Sequence, residues 1–180
     1  MAVQVLSKEY LDPEKLAGVT ETVTEDQGVT YQVRPLMFEA DLAWIYASWC
    51  SQIRRCGFYT AKRDQARGVF REMDKEEFSR HKAHVIEPLV ERCGALIAHE
   101  KGYPDHFIGW AVGEFGPDKA QVLHFVYVKG SLRGAGVGTR LVRLTLPALG
   151  HKPIYVTHWT PACRHFVERW GLRHNPYLVR

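Results

Sequence analysis

Val128-Lys129-Gly130-Ser131-Leu132-Arg133-Gly134-Ala135-Gly136-Val137-Gly138 joins two segments of opposite character. Before it, residues 120–128 (AQVLHFVYV) form a strongly β-forming run. After it, from about 136 to 148, Val137, Leu141, Leu144 and Ala148 recur on one helical face. Glycines at 134, 136 and 138 let backbone N–H groups approach a bound group with no Cβ in the way. The helix N-terminus adds unpaired N–H donors and a partial positive charge. Such a strand-loop-helix junction is an anion site suited to a pyrophosphate, to which Arg133 adds a charge-assisted contact.

Two better-known phosphate loops are excluded. The Walker pattern closes on Gly-Lys-Ser or Gly-Lys-Thr, whereas Gly138 is followed by Thr139 and Arg140. The dinucleotide fingerprint needs a third glycine where Thr139 stands, and an acid about twenty residues on, which 154–160 does not offer. A plain tight turn with glycine caps is the simpler alternative. Arg133 with Gly136 and Gly138, between a strand and a helix, favours the phosphate loop.

Working outward, VTYQVRPL (29–36) alternates as a strand that stops at Pro35. Phe38, Leu42, Ile45, Trp49 and Ile53 then mark a helix over 38–55. Residues 61–93 read as largely helical, with Phe78, Val85, Ile86, Leu89 and Cys93 as its stripe and a kink or restart at Pro88. ALIAHE (95–100) and HFIGWAVGEF (106–115) read as successive strands around a turn at Tyr103-Pro104-Asp105. Gly116-Pro117-Asp118 makes the next turn. Beyond the loop, PIYVTHW (153–159) reads as a strand and PACRHFVERW (161–170) as a helix ended by Gly171. The last nine residues suit a short strand. The order β-α-α-β-β-β-α-β-α-β predicts an α/β domain, a mixed sheet with helices on both faces.

The 180 residues, 46% apolar and 24% charged, suit one globular domain over 29–180. Residues 1–28 hold six acids against two lysines and read as a polar acidic tail or strap. The rest carries 22 Lys and Arg against 14 Asp and Glu, a basic body able to attract a polyanionic ligand. It shows no zinc-finger spacing, basic heptad or RNA-binding signature, so no nucleic-acid partner is expected. No apolar run reaches the roughly 18–20 residues of a membrane helix. MAVQVLSKEY lacks a secretory pattern, so a cytoplasmic protein without membrane partners is expected. Cys50, Cys56, Cys93 and Cys163 form no CxxC pair and read as reduced thiols. Glu77, His81 and His84 share a helix face, but without a fourth ligand no metal is expected.

Arg133-x-x-Gly136-x-Gly138 resembles the pyrophosphate motif of the GNAT (GCN5-related N-acetyltransferase) superfamily. VYVKGSLRGAGVGTRLV resembles that family's strand, loop and helix nearly position for position. Tyr31-Gln32-Val33-Arg34-Pro35 resembles its first strand, and His165-Phe166-Val167-Glu168-Arg169-Trp170-Gly171-Leu172 its late helix. The resemblance implies a GNAT-type, mostly antiparallel mixed sheet with a V-shaped split between the fourth and fifth strands, here 120–128 and 153–159. It implies acetyl-CoA in that split. Backbone at Val126, Tyr127 and Val128 would pair with pantetheine. The amides of Arg133, Gly134, Ala135, Gly136, Val137, Gly138 and Thr139 would hold the pyrophosphate. The Val126 N–H would face the thioester oxygen.

Two catalytic groups of the family are missing: Val122 stands at the usual glutamate position and Val167 at the usual tyrosine position. Strand alternation puts Val122, His124, Val126 and Val128 on one face, so His124 is the candidate base. His124 also matches one of the strand histidines of arylalkylamine acetyltransferases. His158, at the end of the fifth strand, is the second candidate, and Glu114 a candidate for holding the amine. Tyr127 is expected to face the core on the opposite side. Trp44, Tyr46 and Trp49 of the first helix are expected to border the acceptor pocket, with Trp49, on the apolar stripe, more simply a core residue.

The expected function is acetyl transfer from acetyl-CoA to a primary amine, small molecule or protein, by direct attack, in a monomer or homodimer. The rival is a catalytically silent GNAT-fold protein that binds CoA or acts as an interaction or particle component. Ala47-Ser48-Trp49 and residues 122–129 resemble bacteriophage-encoded GNAT-like proteins, some without settled activity.

Overall fold

The computed structural model describes residues 21–24, 28–37, 39–56, 75–115, 120–146, 153–160 and 163–179. Its strands are β1 (Glu21–Thr24), β2 (Thr30–Pro35), β3 (Leu96–Glu100), β4 (Tyr103–Phe115), β5 (Gln121–Val128), β6 (Ile154–Val156) and β7 (Arg173–His174). Its α-helices are α1 (Glu39–Cys56), α2 (Lys75–His81), α3 (Glu87–Cys93), α4 (Val137–Thr145) and α5 (Cys163–Trp170). One sheet holds the strands in chain order. It is antiparallel from β1 to β5 and parallel from β5 through β6 to β7.

Helices cover both faces. Ile45, Trp49 and Ile53 of α1 and Leu89 and Val90 of α3 pack on Ile97, Trp110, Val112 and Phe125. On the other face Leu141 joins Ala98, Ile108 and Ala111, while Val142 and Leu146 meet Leu123, Ile154 and Phe166. Arg34 and Asp41, both buried, pair at 2.7 Å and pin the end of β2 to the first turn of α1. Asp41 also accepts from the Met37 N–H, capping the chain as it enters the helix.

Pro88 has the effect its chemistry requires. With no N–H, it cannot donate to the preceding turn, and the helix widens to a π-turn over Lys82–Ile86 before α3 begins with Pro88 in its first turn.

Several local expectations are corrected. Glu21–Thr24 forms an edge strand on β2, so the split strands are β5 and β6. The hairpin turns at Lys101-Gly102, where Gly102 takes φ +83°, and Tyr103-Pro104-Asp105 belongs to β4. Helix α4 ends at Thr145 rather than 148, and β6 at Val156 rather than 159. The chain end gives a two-residue strand and a 3₁₀ turn, Pro176–Val179. Residues 57–74, with the first part of the expected second helix, and 116–119, with the expected Gly-Pro-Asp turn, lie outside the described residues.

Besides a larger register break in β4 between Phe107 and Tyr103, two single-residue bulges re-aim side chains. Ala98 faces Gly109 and His99 faces Phe107, leaving Ile108 as the extra residue in β4. Val112 faces Phe125 and Gly113 faces Leu123, leaving His124 as the extra residue in β5.

Candidate active site

The split opens because β5 is longer than its parallel partner. Pairing with β6 runs from Gln121–Ile154 to Leu123–Val156, and the Thr157 N–H donates to the Leu123 carbonyl at 3.2 Å. The Asn175 N–H then takes the Val156 carbonyl, drawing β6 toward β7. Beyond this point β5 continues for five residues without β6 beside it. The opening is lined by His124, Phe125, Val126, His158, Thr160, Cys163 and Phe166, among others.

Backbone direction within β5 follows from one bond. The Lys129 N–H donates to the Ile108 carbonyl at 2.9 Å, so Phe125, Tyr127 and Lys129 turn their polar groups to β4. Val126 and Val128 therefore face the split. The Val128 carbonyl accepts from Arg133 Nε at 3.1 Å, as this direction requires. Of the three expected pantetheine partners, Tyr127 has its backbone committed to the sheet.

The glycine loop has the geometry of an anion cradle. Gly134 and Gly136 take φ +92° and +77°, the left-handed region where a side chain is strained. Gly136 is the N-cap of α4 and, having no side chain, makes no side-chain cap there. The first-turn amides Val137, Gly138 and Thr139 have no intrahelical acceptor by position. Arg133 is exposed beside them.

The bulge changes the face of His124. Phe125 and Tyr127 pack with the α1 cluster, and Val126 with the α4 side. His124 lies on the α1–α3 side with Glu114, so it does not share a face with Val126 and Val128. Tyr127, expected opposite His124, is on the same side, against Trp44. Periodicity misses this because pairing with β4, not the residues of β5, inserts the extra position.

There a polar network forms. Glu114 accepts from Arg92 Nε at 3.1 Å and from an Arg92 terminal nitrogen at 2.7 Å, and lies 3.0 Å from His124 Nε2. His124 Nδ1 lies 3.0 Å from Thr157 Oγ1, itself 3.0 Å from His158 Nδ1. His158 Nε2 lies 3.1 Å from His81 Nε2. The three site residues predicted from sequence, His124, His158 and Glu114, thus meet in one network. Arg92, Thr157 and His81 complete it; only His81 carried a signal, and that pointed to metal.

Burial works to raise the Glu114 carboxyl, but hydrogen bonds from His124 and Arg92 outweigh it and bring it down to about 2. Burial pushes His124 below its ordinary 6.5 against the opposing pull of Glu114. His158, fully enclosed, is pushed well below by burial and by the charges of His81, His124 and His174. Burial takes His81 to about 4. The Cys163 thiol is raised by burial and donates to the His158 carbonyl at 3.4 Å.

Donor atoms of Cys93, Glu114 and His124 lie within 4.8 Å of one another. Arg92 occupies both carboxylate oxygens and burial pushes the Cys93 thiol up to about 12, which suits an ion-pair cluster better than a metal centre. Of the suspected metal face, His84 is exposed, His81 is turned to His158, and the Glu77 side chain lies outside the described residues.

Residues 58–172, nearly two thirds of the chain, match the model of the acetyltransferase (GNAT) family. No curated protein matches the sequence. Solved structures that resemble it include the GNAT domain of S. lividans PAT, 16% identical, covering 84% of this chain and 85% of that one, with a TM-score of 0.47. Glucosamine-6-phosphate N-acetyltransferase from Arabidopsis thaliana is 14% identical over 81% of this chain and 93% of that one, with a TM-score of 0.42. An acetyltransferase from Vibrio fischeri is 18% identical over 69% and 93%, with a TM-score of 0.37. No described helix is long and apolar enough to cross a membrane.

Proposed function

The chain belongs to the acetyltransferase (GNAT) family, and from that premise we propose that it moves an acetyl group from acetyl-CoA to a primary amine by direct attack on the thioester. The amine gives up a proton, its nitrogen bonds to the carbonyl carbon, the C–S bond breaks, and the CoA sulfur takes a proton. The amides from Arg133 to Thr139 hold the pyrophosphate, with the left-handed Gly136 opening the first turn of α4 to it. Val126 and Val128 pair with the pantetheine arm, and the Val126 N–H stabilises the oxyanion that forms on attack.

His124 serves as the base on which the amine proton comes to rest, reached through a neighbouring group because Glu114 and Thr157 engage both its ring nitrogens. Its Nε2 is held by Glu114, which stabilises the imidazolium as the proton arrives, so Glu114 orients and charges His124 rather than gripping the amine. The observation that carries this reading is the meeting, at one split, of an open β5 edge, a helix N-terminus with glycine at its N-cap and the His124–Glu114 pair.

The test incubates the protein with acetyl-CoA and a broad panel of primary amines, following free thiol and the mass of the acylated product. Amine-dependent thiol release is the expected result. Tight acetyl-CoA binding with no thiol release from any small amine, peptide or protein lysine would favour the silent CoA-binding alternative. Val122 and Val167, neither able to move a proton, are the residues that keep that alternative in view.

A further inference from the structure

The polar chain beside the split has a direction, and one ionised group sets it. The Glu114 carboxylate offers only lone pairs, so the His124 nitrogen facing it, Nε2, carries the hydrogen. In a neutral imidazole this leaves Nδ1 as an acceptor, and the Thr157 hydroxyl 3.0 Å away donates to it. Having given its single hydrogen to His124, Thr157 Oγ1 accepts from the Nδ1–H of His158. His158 Nε2 is then a lone pair, and it accepts from the Nε2–H of His81 at 3.1 Å. Each donor in the series points toward Glu114.

The two ends differ in surroundings. His124 is buried, with Arg92 clamping its carboxylate partner. His158 is buried and lines the split. His81 is half-buried at the end of α2, next to exposed Ser79 and Arg80.

We propose that His81, His158, Thr157 and His124 form a proton relay, in which the proton lost by the acceptor amine enters at His158 and leaves to solvent through His81. The proposal rests on the acetyl-transfer reading above. An alkylammonium must lose one proton to solvent per turnover. Its nitrogen lone pair then makes the N–C bond, the C–S bond breaks, and a second amine proton ends on the CoA sulfur. Rotation of the His81 ring uncovers His158 Nε2, which takes the first proton. His158 is a station rather than a store, because its enclosure disfavours the charged ring. Its Nδ1–H passes to Thr157 and the Thr157 hydrogen to His124, where the imidazolium rests against Glu114. Turned to solvent, His81 exchanges its Nε2–H for an Nδ1–H through water; the series reverses when the ring swings back, takes the proton on Nε2 and releases its Nδ1–H to water. His124 has both ring nitrogens engaged, so it receives the proton through Thr157.

His81→Ala removes only the port. Its kcat should fall about tenfold or more, below the 10²–10⁴ of a direct acid–base group, with KM for acetyl-CoA unchanged. Millimolar imidazole in the buffer should restore the rate, which a merely structural role would not allow. Thr157→Val keeps the volume and cuts the series; its rate should fall without imidazole rescue. Nitrogen-15 NMR of the rings reads the direction without turnover, with His124 expected as the Nε2–H tautomer and His158 as the Nδ1–H tautomer. A His81→Ala protein at full rate, or His158 found as the Nε2–H tautomer, overturns the relay. If the unaltered protein acetylates no amine, the parent reading fails, and the ring tautomers alone decide whether the series stands.

Discussion

His124 Nε2 lies 3.0 Å from Glu114 Oε1, the oxygen that also accepts from Arg92 at 2.7 Å. One carboxylate from β4 thus holds a guanidinium from α3 and an imidazole from the bulge of β5. Burial alone would leave His124 an inert neutral ring; the adjacent carboxylate makes its charged form reachable during turnover.

In the proposed reaction that pair sets the pH dependence of catalysis. Because burial moves His124 below 6.5, kcat/KM should hold at neutral pH and fall with acid at a midpoint under 6.5. His124→Ala should lower turnover by about 10²–10⁴-fold, the usual contribution of a positioned acid–base group. Acetyl-CoA affinity should barely change. A midpoint above 6.5 in the rate profile would argue against this ring.

The same groups govern acid stability. Glu114 is depressed to about 2, so its contribution is present above the ordinary carboxyl value of 4.5 and lost as pH falls from there toward 2. His81, lowered from 6.5 to about 4, also favours the folded state above 6.5 and loses that contribution as pH drops toward 4. Urea midpoints should therefore decline from pH 6.5 downward. Glu114→Gln should flatten the lower part of that decline.

The glycine loop is tested by ligand-induced stabilisation. Acetyl-CoA should raise the melting temperature by binding the folded state alone. Gly136 takes φ +77° at the mouth of α4, so Gly136→Asp strains the cap and sets a carboxylate against the phosphates. The shift should vanish in that variant. An equal shift in both proteins would remove the loop from the binding site.

Gly113 reports on the sheet beneath the loop. A Cβ there would stand 2.7 Å from Thr145 Cγ2 and 2.8 Å from the Val122 carbonyl. Gly113→Ala should force α4 off β4 and cost about 1–3 kcal/mol, the usual range for overpacking. Chemical denaturation measures it directly; an unchanged midpoint would mean that α4 yields freely.

The elements with strong local signals were legible along the chain. The run 120–128, the glycine loop and the stripe of Val137 and Leu141 specify strand, turn and helix through neighbours a few residues apart. The proposed phosphate cradle lies within that span, and so its residues could be picked out directly. Pro88 was legible for the same reason, since a missing N–H acts on its own helix. Short, weakly apolar Glu21–Thr24 was not, because it is a strand only by virtue of the β2 edge it covers.

The proposed base could be named from sequence but not aimed. His124, His158 and Glu114 were identifiable as ionisable residues on or at the ends of strands beside the expected split. Their union through Arg92 and Thr157 depends on which face of β5 carries His124. Alternation counts residues along one strand, whereas the bulge arises from the pairing of Val112 with Phe125 and Gly113 with Leu123. The residues of the network span positions 81 to 158, too far apart for any periodic pattern to relate them. Propensity and turn chemistry act between near neighbours and set the elements; the direction of a side chain in a bulged sheet is set by register with another strand, which exists only once the chain has folded.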